Sequence, residues 1–323
     1  MKKSFILILI IVALCIQTVT ALSIVSTTTV LSDPLKYIGG DRVQVIAIAD
    51  PTICPHMQGE IVPNRIQLER NYILKADLFV AINGSVDNGY VMPYVDKFMR
   101  ANKNTSITWR SLKNPSMVWN TPEGARTLCR EAAGWLIDAD PDNRTYYEGQ
   151  LSSYLAGIDA ADLSADERSK IAGQDVIVML WQQEAAGQWL GLDVVAVFAP
   201  DFYNHGQSTP RAVINDIFNN PEKYRNVKYV IENMQSGDMA KGVEEALRDN
   251  GIAAKRVVFT NFPGSVAGAD TLPDVLRYNK GLVTPSAASA AAGGNTVPRS
   301  PLGIESALLG ICTLIIGYHC SRK

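Results

Sequence analysis

Twice along the chain, short β-branched and apolar runs alternate with segments of helical spacing, and this rhythm confines the fold to α/β architectures. In the first block, residues 23–30 and 43–47 read as strands, the second entered through a turn at Gly39-Gly40-Asp41. Residues 64–76 place Ile66, Leu68, Tyr72 and Leu74 at helical spacing, and residues 78–82 form a short apolar strand stopped by Asn83-Gly84. In the second block, strands at 175–180, 193–198, 229–232 and 256–260 alternate with helices at 184–190, 209–218 and 238–249. Ser208 or Thr209 caps the middle helix, and Asn250-Gly251 ends the last. Strands spaced by helices pair in parallel, and their sheets need both faces covered.

Between the blocks, Tyr147, Leu151, Tyr154, Leu155 and Ile158 recur at helical spacing in a segment without proline. Residues 143–172 therefore read as one long, rigid linker helix. The expected fold class is α/β, with two lobes, each a mostly parallel sheet flanked by helices. The first lobe spans 22–142 and the second 173–283. Ligands of open α/β sheets sit at the carboxyl ends of the strands, so the cleft between the lobes is the expected binding site.

The two ends of the chain place this body outside the cell. Met1-Lys2-Lys3, the apolar run 5–16 and the small residues Val19-Thr20-Ala21 make residues 1–21 a secretory signal peptide. Residues 284–300 are small and polar, as in a flexible linker. Residues 301–323 hold an apolar stretch before Arg322-Lys323, the pattern of a transmembrane helix anchoring the protein at the outer face of the cell membrane. This tail resembles the PGF-CTERM sorting signals of archaeal cell-surface proteins through Pro301, Gly303 and Glu305. Sequons at Asn83, Asn104 and Asn143 suit an exterior location. A net charge of −2 without a basic stripe gives no reason to expect nucleic acid as a partner.

Residues 50–59, DPTICPHMQG, set Cys54, His56 and Met57 between two turn signals in a chain with three histidines. That loop follows the second strand, where a ligand would sit. Cys54 and Cys129 are the two cysteines of the body, and their pairing is open on sequence alone. No Gly-x-Ser-x-Gly, His-Glu-x-x-His or phosphate loop occurs, so the chain does not read as an enzyme.

The body resembles the substrate-binding proteins of zinc and manganese ABC transporters. The resemblance rests on Ile24-Val25-Ser26-Thr27, the turn from Ile38 to Val43, and Pro55-His56. It continues through Lys75-Ala76-Asp77-Leu78 with Asn83-Gly84, Val118-Trp119 with Pro122, the run from Gly191 to Val195, and Arg277-Tyr278-Asn279. It implies an extracytoplasmic metal-binding protein that delivers its ligand to an ABC permease and its ATPase; the rigid linker helix limits closure to a small tilt of one lobe. The family holds its ion with histidines and a carboxylate, a set suited to zinc or manganese. His56 matches the first histidine. Met117 falls at the second, and Leu180, between Met179 and Trp181, at the third. Asn261 and Phe262 stand before Pro263, where the carboxylate is expected.

Three readings of the cleft follow. One is a soft-metal site with Cys54, His56, Met57 and Met117 as ligands and Met179 nearby, suited to Cu(I). Another is a chelated metal or organic ligand of haem or corrinoid type, in a cleft lined by Trp119, Trp181, Trp189, Tyr90 and Tyr203 together with methionines, His56 giving one axial contact; the expected ligand-binding set is His56, Met117, Trp119, Met179, Leu180, Trp181 and Asn261. The third is ordinary divalent metal with Glu60, Glu184, Asp201 and His205 as substitute ligands. A surface adhesion or scaffold protein with a decayed site is the alternative outside transport.

Overall fold

A computed structural model describes residues 21–201, 203 and 208–284. The first lobe is built on strands β1 (Leu22–Ser26), β2 (Val43–Ala47), β3 (Leu78–Ala81) and β4 (Trp109–Ser111), the second on β5 (Asp175–Met179), β6 (Asp193–Phe198), β7 (Tyr229–Asn233) and β8 (Lys255–Phe259). Both sheets are wholly parallel, in the orders β2-β1-β3-β4 and β6-β5-β7-β8. Ile24 lies between Val45 and Leu78 in the first, and Ile177 pairs Val230 in the second.

Helices cover both faces, and the burial pattern shows why. All four residues of β3 are buried, so the strand reads as an apolar run without alternation. One face of the first sheet packs Val25, Ile48 and Phe79 against Val95 and Phe98 of a helix over Met92–Lys103. One face of the second packs Ile177 and Phe198 against Val213 and Val243, from helices over Pro210–Asn219 and Lys241–Asp249. The inner faces merge into one apolar core that runs through both lobes, from Ile24 and Val80 through Tyr147 and Ile158 to Val178 and Phe259.

Four helices carry that shared core. They are α1 (Thr29–Gly39), α2 (Pro122–Ala139), α3 (Arg144–Ala161) and α4 (Leu272–Gly281). Only the first two residues of α1, Thr29 and Val30, were expected to belong to the first strand, and no helix was expected over the rest. Its Val30 favours a strand and its Pro34 removes a helical N–H, yet Val30, Leu31, Leu35 and Ile38 bury one face, and that packing outweighs local preference. Gly40 ends it with φ of +55°, its N–H donating to the Lys36 carbonyl.

Helix α3 is the linker, and it is shorter than the sequence suggested. It stops at Ala161, and α5 (Ala165–Ile171) starts afresh from a capping box in which Ser164 and Glu167 satisfy each other's backbone N–H groups. The expected helix over 64–76 likewise divides, into Ile61–Leu68 and Arg70–Ile73. That over 184–190 is a π-helical turn, Ala185–Trp189.

Where α1, α3 and α4 meet, the half-buried Asp33 carboxyl takes the Tyr154 hydroxyl and the Leu272 N–H on one oxygen. One side chain thereby ties the first lobe, the linker and the last helix of the second lobe together. Cys54 and Cys129 are separate free thiols, both buried. Of the sequon asparagines, Asn83 and Asn104 are exposed, while Asn143 accepts from Arg42 Nε at 2.9 Å and donates to Asp140 at 2.8 Å. Among the described residues no helix is long and apolar enough to cross a membrane. The expected signal peptide and C-terminal anchor lie outside the described residues.

Candidate functional site

The carboxyl ends of both sheets face each other, and the loops that leave seven of the strands line one cleft. From the first lobe, β2 leads to Cys54 and His56, β3 to Ser85 and Val86, and β4 to residues 115–120. From the second, β5 leads to Leu180 and Trp181, β6 to Tyr203, β7 to Gln235 and Ser236, and β8 to Asn261 and Phe262. The cleft has an outer chamber of about 440 Å³ and an inner recess of about 70 Å³. Both are lined by Ser85, Val86, Trp119, Trp181 and Asn261, which makes them one continuous space.

Neutral amides bridge the lobes at its floor. Asn120, 2% exposed, donates through Nδ2 toward the Trp181 carbonyl, Gln182 Oε1 and Asn261 Oδ1, at 3.2, 3.0 and 2.9 Å. Gln182 Nε2 donates to the same Asn261 oxygen at 2.9 Å, and the Trp119 indole N–H donates to the Asn261 carbonyl at 2.8 Å. Deeper in, Gln235 donates to the Pro51 carbonyl at 3.0 Å, and the Cys54 N–H donates to the Gln235 carbonyl at 3.0 Å.

The loop 117–120 owes its position to one glycine. A Cβ on Gly124, in the first turn of α2, would sit 1.8 Å from the Val118 carbonyl oxygen, a backbone atom that cannot rotate away. Gly124→Ala is expected to destabilise the protein by roughly 3 kcal/mol through overpacking, read from the urea midpoint. It should also displace Trp119 and quench or shift tryptophan fluorescence.

At the recess, Cys54 Sγ lies 2.8 Å from His56 Nδ1. Burial raises the thiol pKa and lowers that of the imidazole, so both stay neutral at neutral pH. The His56 ring leans on Tyr90 at 4.4 Å and faces Trp181 across the cleft at 6.2 Å between centroids, 25° from parallel. Trp181 in turn meets Tyr203 edge-on at 5.8 Å.

The structure brings together only part of the expected set. His56, Cys54, Trp119, Trp181 and Asn261 line the recess, and Met117 and Leu180 line the outer chamber. Met57 is 61% exposed and lines neither. Met179 is fully buried in the core of the second lobe. It ends β5 pointing inward, whereas the next residue, Leu180, opens the turn toward the cleft. Glu184 lines the outer chamber, Glu60 and Asp201 are exposed, and His205 lies outside the described residues. Asn120, Gln182 and Gln235 had no signal in the sequence, because neutral amides follow no pattern that marks a site.

Residues 24–281 match the family zinc-uptake complex component A, periplasmic (ZnuA). The chain belongs to the ZnuA family. A curated relative, the metal ABC transporter substrate-binding lipoprotein SsaB of Streptococcus sanguinis, is 21% identical over 280 residues, covering 80% of this chain and 86% of its own. Among solved structures, the Mn-bound periplasmic metal binding protein of Candidatus Liberibacter asiaticus aligns with a TM-score of 0.62 at 14% identity, covering 82% of this chain and 98% of its own. A crystal structure of ZnuA aligns at 0.57 and 19%, covering 82% and 100%. These solved structures share the two-lobed fold. Membership in the ZnuA family makes the chain an extracytoplasmic substrate-binding component of an ABC transporter, and not an enzyme.

A bare zinc ion needs three or four protein ligands. Among the described residues no group of three or more His, Cys, Asp and Glu side chains converges, so those residues do not fit a naked ion as ZnuA-type cargo.

Proposed function

We propose that this protein captures a transition-metal substrate in the cleft between its lobes and hands it to an ABC permease driven by an ATPase. The observation that carries the reading is the convergence of seven strand-end loops on one cleft in a chain of the ZnuA family. The relatives support the metal: SsaB is named for a metal transporter, and the neighbours of this fold were solved with manganese and cadmium bound. The sequence of residues 1–21 supports export, and that of 301–323 supports anchoring at the outer face, where tethering raises the concentration of loaded protein beside the permease.

Cleft closure is a small adjustment in this reading, because the shared core and α3 resist a wide hinge. The test is the metal content of cells from which the gene is deleted, measured by mass spectrometry after growth in complex medium. At least one of zinc, manganese, iron, cobalt, nickel and copper should fall at least threefold. The wild-type gene should restore it, and a gene carrying Trp181→Ala with Asn120→Leu should not. Unchanged levels of all six metals would leave the protein as a surface adhesin or scaffold.

A further inference from the structure

The geometry points to a metal complex as the cargo: a compact, planar chelate, neutral or weakly cationic, carrying an N–H or O–H donor at its edge. This rests on the proposed role of the cleft and deepens it.

Donor count argues first. Cys54 and His56 sit two residues apart on one short turn and already face each other at 2.8 Å. With Met57 on the surface and Met179 in the core, no other soft donor joins them in the recess among the described residues. A two-donor site leaves most of a bare ion's coordination shell to water. A chelate brings its own shell.

Polarity argues second. Asn120 sends Nδ2 toward three acceptors, while its Oδ1, buried at the wall of the outer chamber, meets no donor. Exchanging the amide's oxygen and nitrogen would set an oxygen 3.2 Å from the Trp181 backbone carbonyl, so the orientation is determined by an acceptor that cannot flip. Ser236 Oγ, in the recess, is also buried without a partner. Buried polar atoms are nearly always matched; the Asn120 oxygen asks for a donor from a ligand, and the Ser236 hydroxyl can give or take a further hydrogen bond. A coordinated water, an oxime or an amide edge supplies the donor.

Shape and charge argue third. The His56 and Trp181 rings come from opposite lobes and stand nearly parallel, 6.2 Å apart between centroids. These two flat faces, one from each lobe, suit a planar guest better than a compact hydrated ion. Glu184 is the one acidic side chain, and no Lys or Arg stands, among the described residues lining the cleft, so those residues offer no ammonium or guanidinium to a polyanionic chelator.

The probe is diaqua-cobaloxime, a small planar cobalt complex with exchangeable axial positions and O–H donors. It is titrated calorimetrically into the full-length protein in detergent, beside zinc, manganese and Cu(I) alone. Cobaloxime should bind with a micromolar or better Kd. Trp181→Ala and Asn120→Leu should each weaken it at least tenfold, and Trp181→Phe, which keeps the stacking face, by less than threefold. Unliganded melting of each variant, recorded in parallel, separates loss of binding from loss of folding. No binding of the complex, binding indifferent to Trp181→Ala, or a submicromolar Kd for a bare ion would overturn the inference. The last result would leave the transport role standing, which fails only if cellular metal levels do not respond to the gene.

Discussion

Between pH 4 and pH 7 the protein should lose of order 4 kcal/mol of stability through one side chain, Asp33, and Asp33→Asn should abolish that slope. Burial raises the Asp33 carboxyl from 3.8 to about 7. The Tyr154 hydroxyl on α3 and the Leu272 N–H on α4 favour its charged form, as does Lys36 on its own helix, while Asp274 opposes it. Cys129 on α2 faces the same site. Burial outweighs these contacts, so the folded protein keeps the Asp33 proton to a higher pH than the unfolded chain does. Stability from this group is therefore fully present below about pH 4 and is lost as pH rises through about 7. Asparagine still accepts from Tyr154 and Leu272 but does not titrate. Urea unfolding at pH 4.5, 5.5, 6.5 and 7.5 gives the comparison. Parallel curves for wild type and Asp33→Asn would sink the prediction. Because Asp33 joins α1, α3 and α4, the weakening acts at the seam between the lobes, the contact that sets how far the cleft can open.

The strands of the second lobe were legible as short β-branched apolar runs: β5 and β7 are buried after their first residue, and β6 and β8 keep the apolar run although only partly buried. Strand β6 falls at the expected 193–198, and the Thr209 side chain accepts the Ala212 N–H at 3.2 Å as an N-cap should. Helix α1 was hidden, since Val30 and Pro34 both speak against a helix and only its packing between the sheet and α3 decides the matter. The break after Ala161 was written in the sequence as Ser164-Ala-Asp-Glu167, a capping box that the uninterrupted apolar spacing masked. In the cleft, sequence spacing reached the right loops but not the right faces. Met179 and Leu180 are neighbours in the chain and point to opposite environments. Asn120 and Gln235, which hold the lobes together, become visible only when strand ends 61 to 184 residues apart meet.

Removing the guanidinium of Arg256 should cost the protein about 3–5 kcal/mol, the usual consequence of stranding a buried charge. Glu232 lies in β7 with its side chain fully buried. One carboxylate oxygen accepts the Ala240 N–H at 2.7 Å, and the other is held by Arg256, which also reaches Asp238 at 2.6 Å. Asp238 keeps Lys241 when Arg256 is gone, but among the described residues Glu232 pairs with no other cation. Burial raises the Glu232 pKa even with the arginine present, so without it the carboxyl should take up a proton at still higher pH. The deficit of Arg256→Ala should accordingly shrink from pH 8 to pH 5, and adding Glu232→Gln should recover part of it at pH 8. A pH-independent deficit that the second substitution does not reduce would show that lost packing of the arginine stem, and not the stranded charge, is the cause. The consequence reaches the cleft, because the residues that follow Glu232 in β7 are those that line it. Asn233 holds the Gln235 N–H at 2.7 Å, and Gln235 bridges to Pro51 and Cys54 of the first lobe. A strand loosened at Glu232 therefore loosens the inner wall of the recess, and ligand affinity should fall in Arg256→Ala even where the protein remains folded.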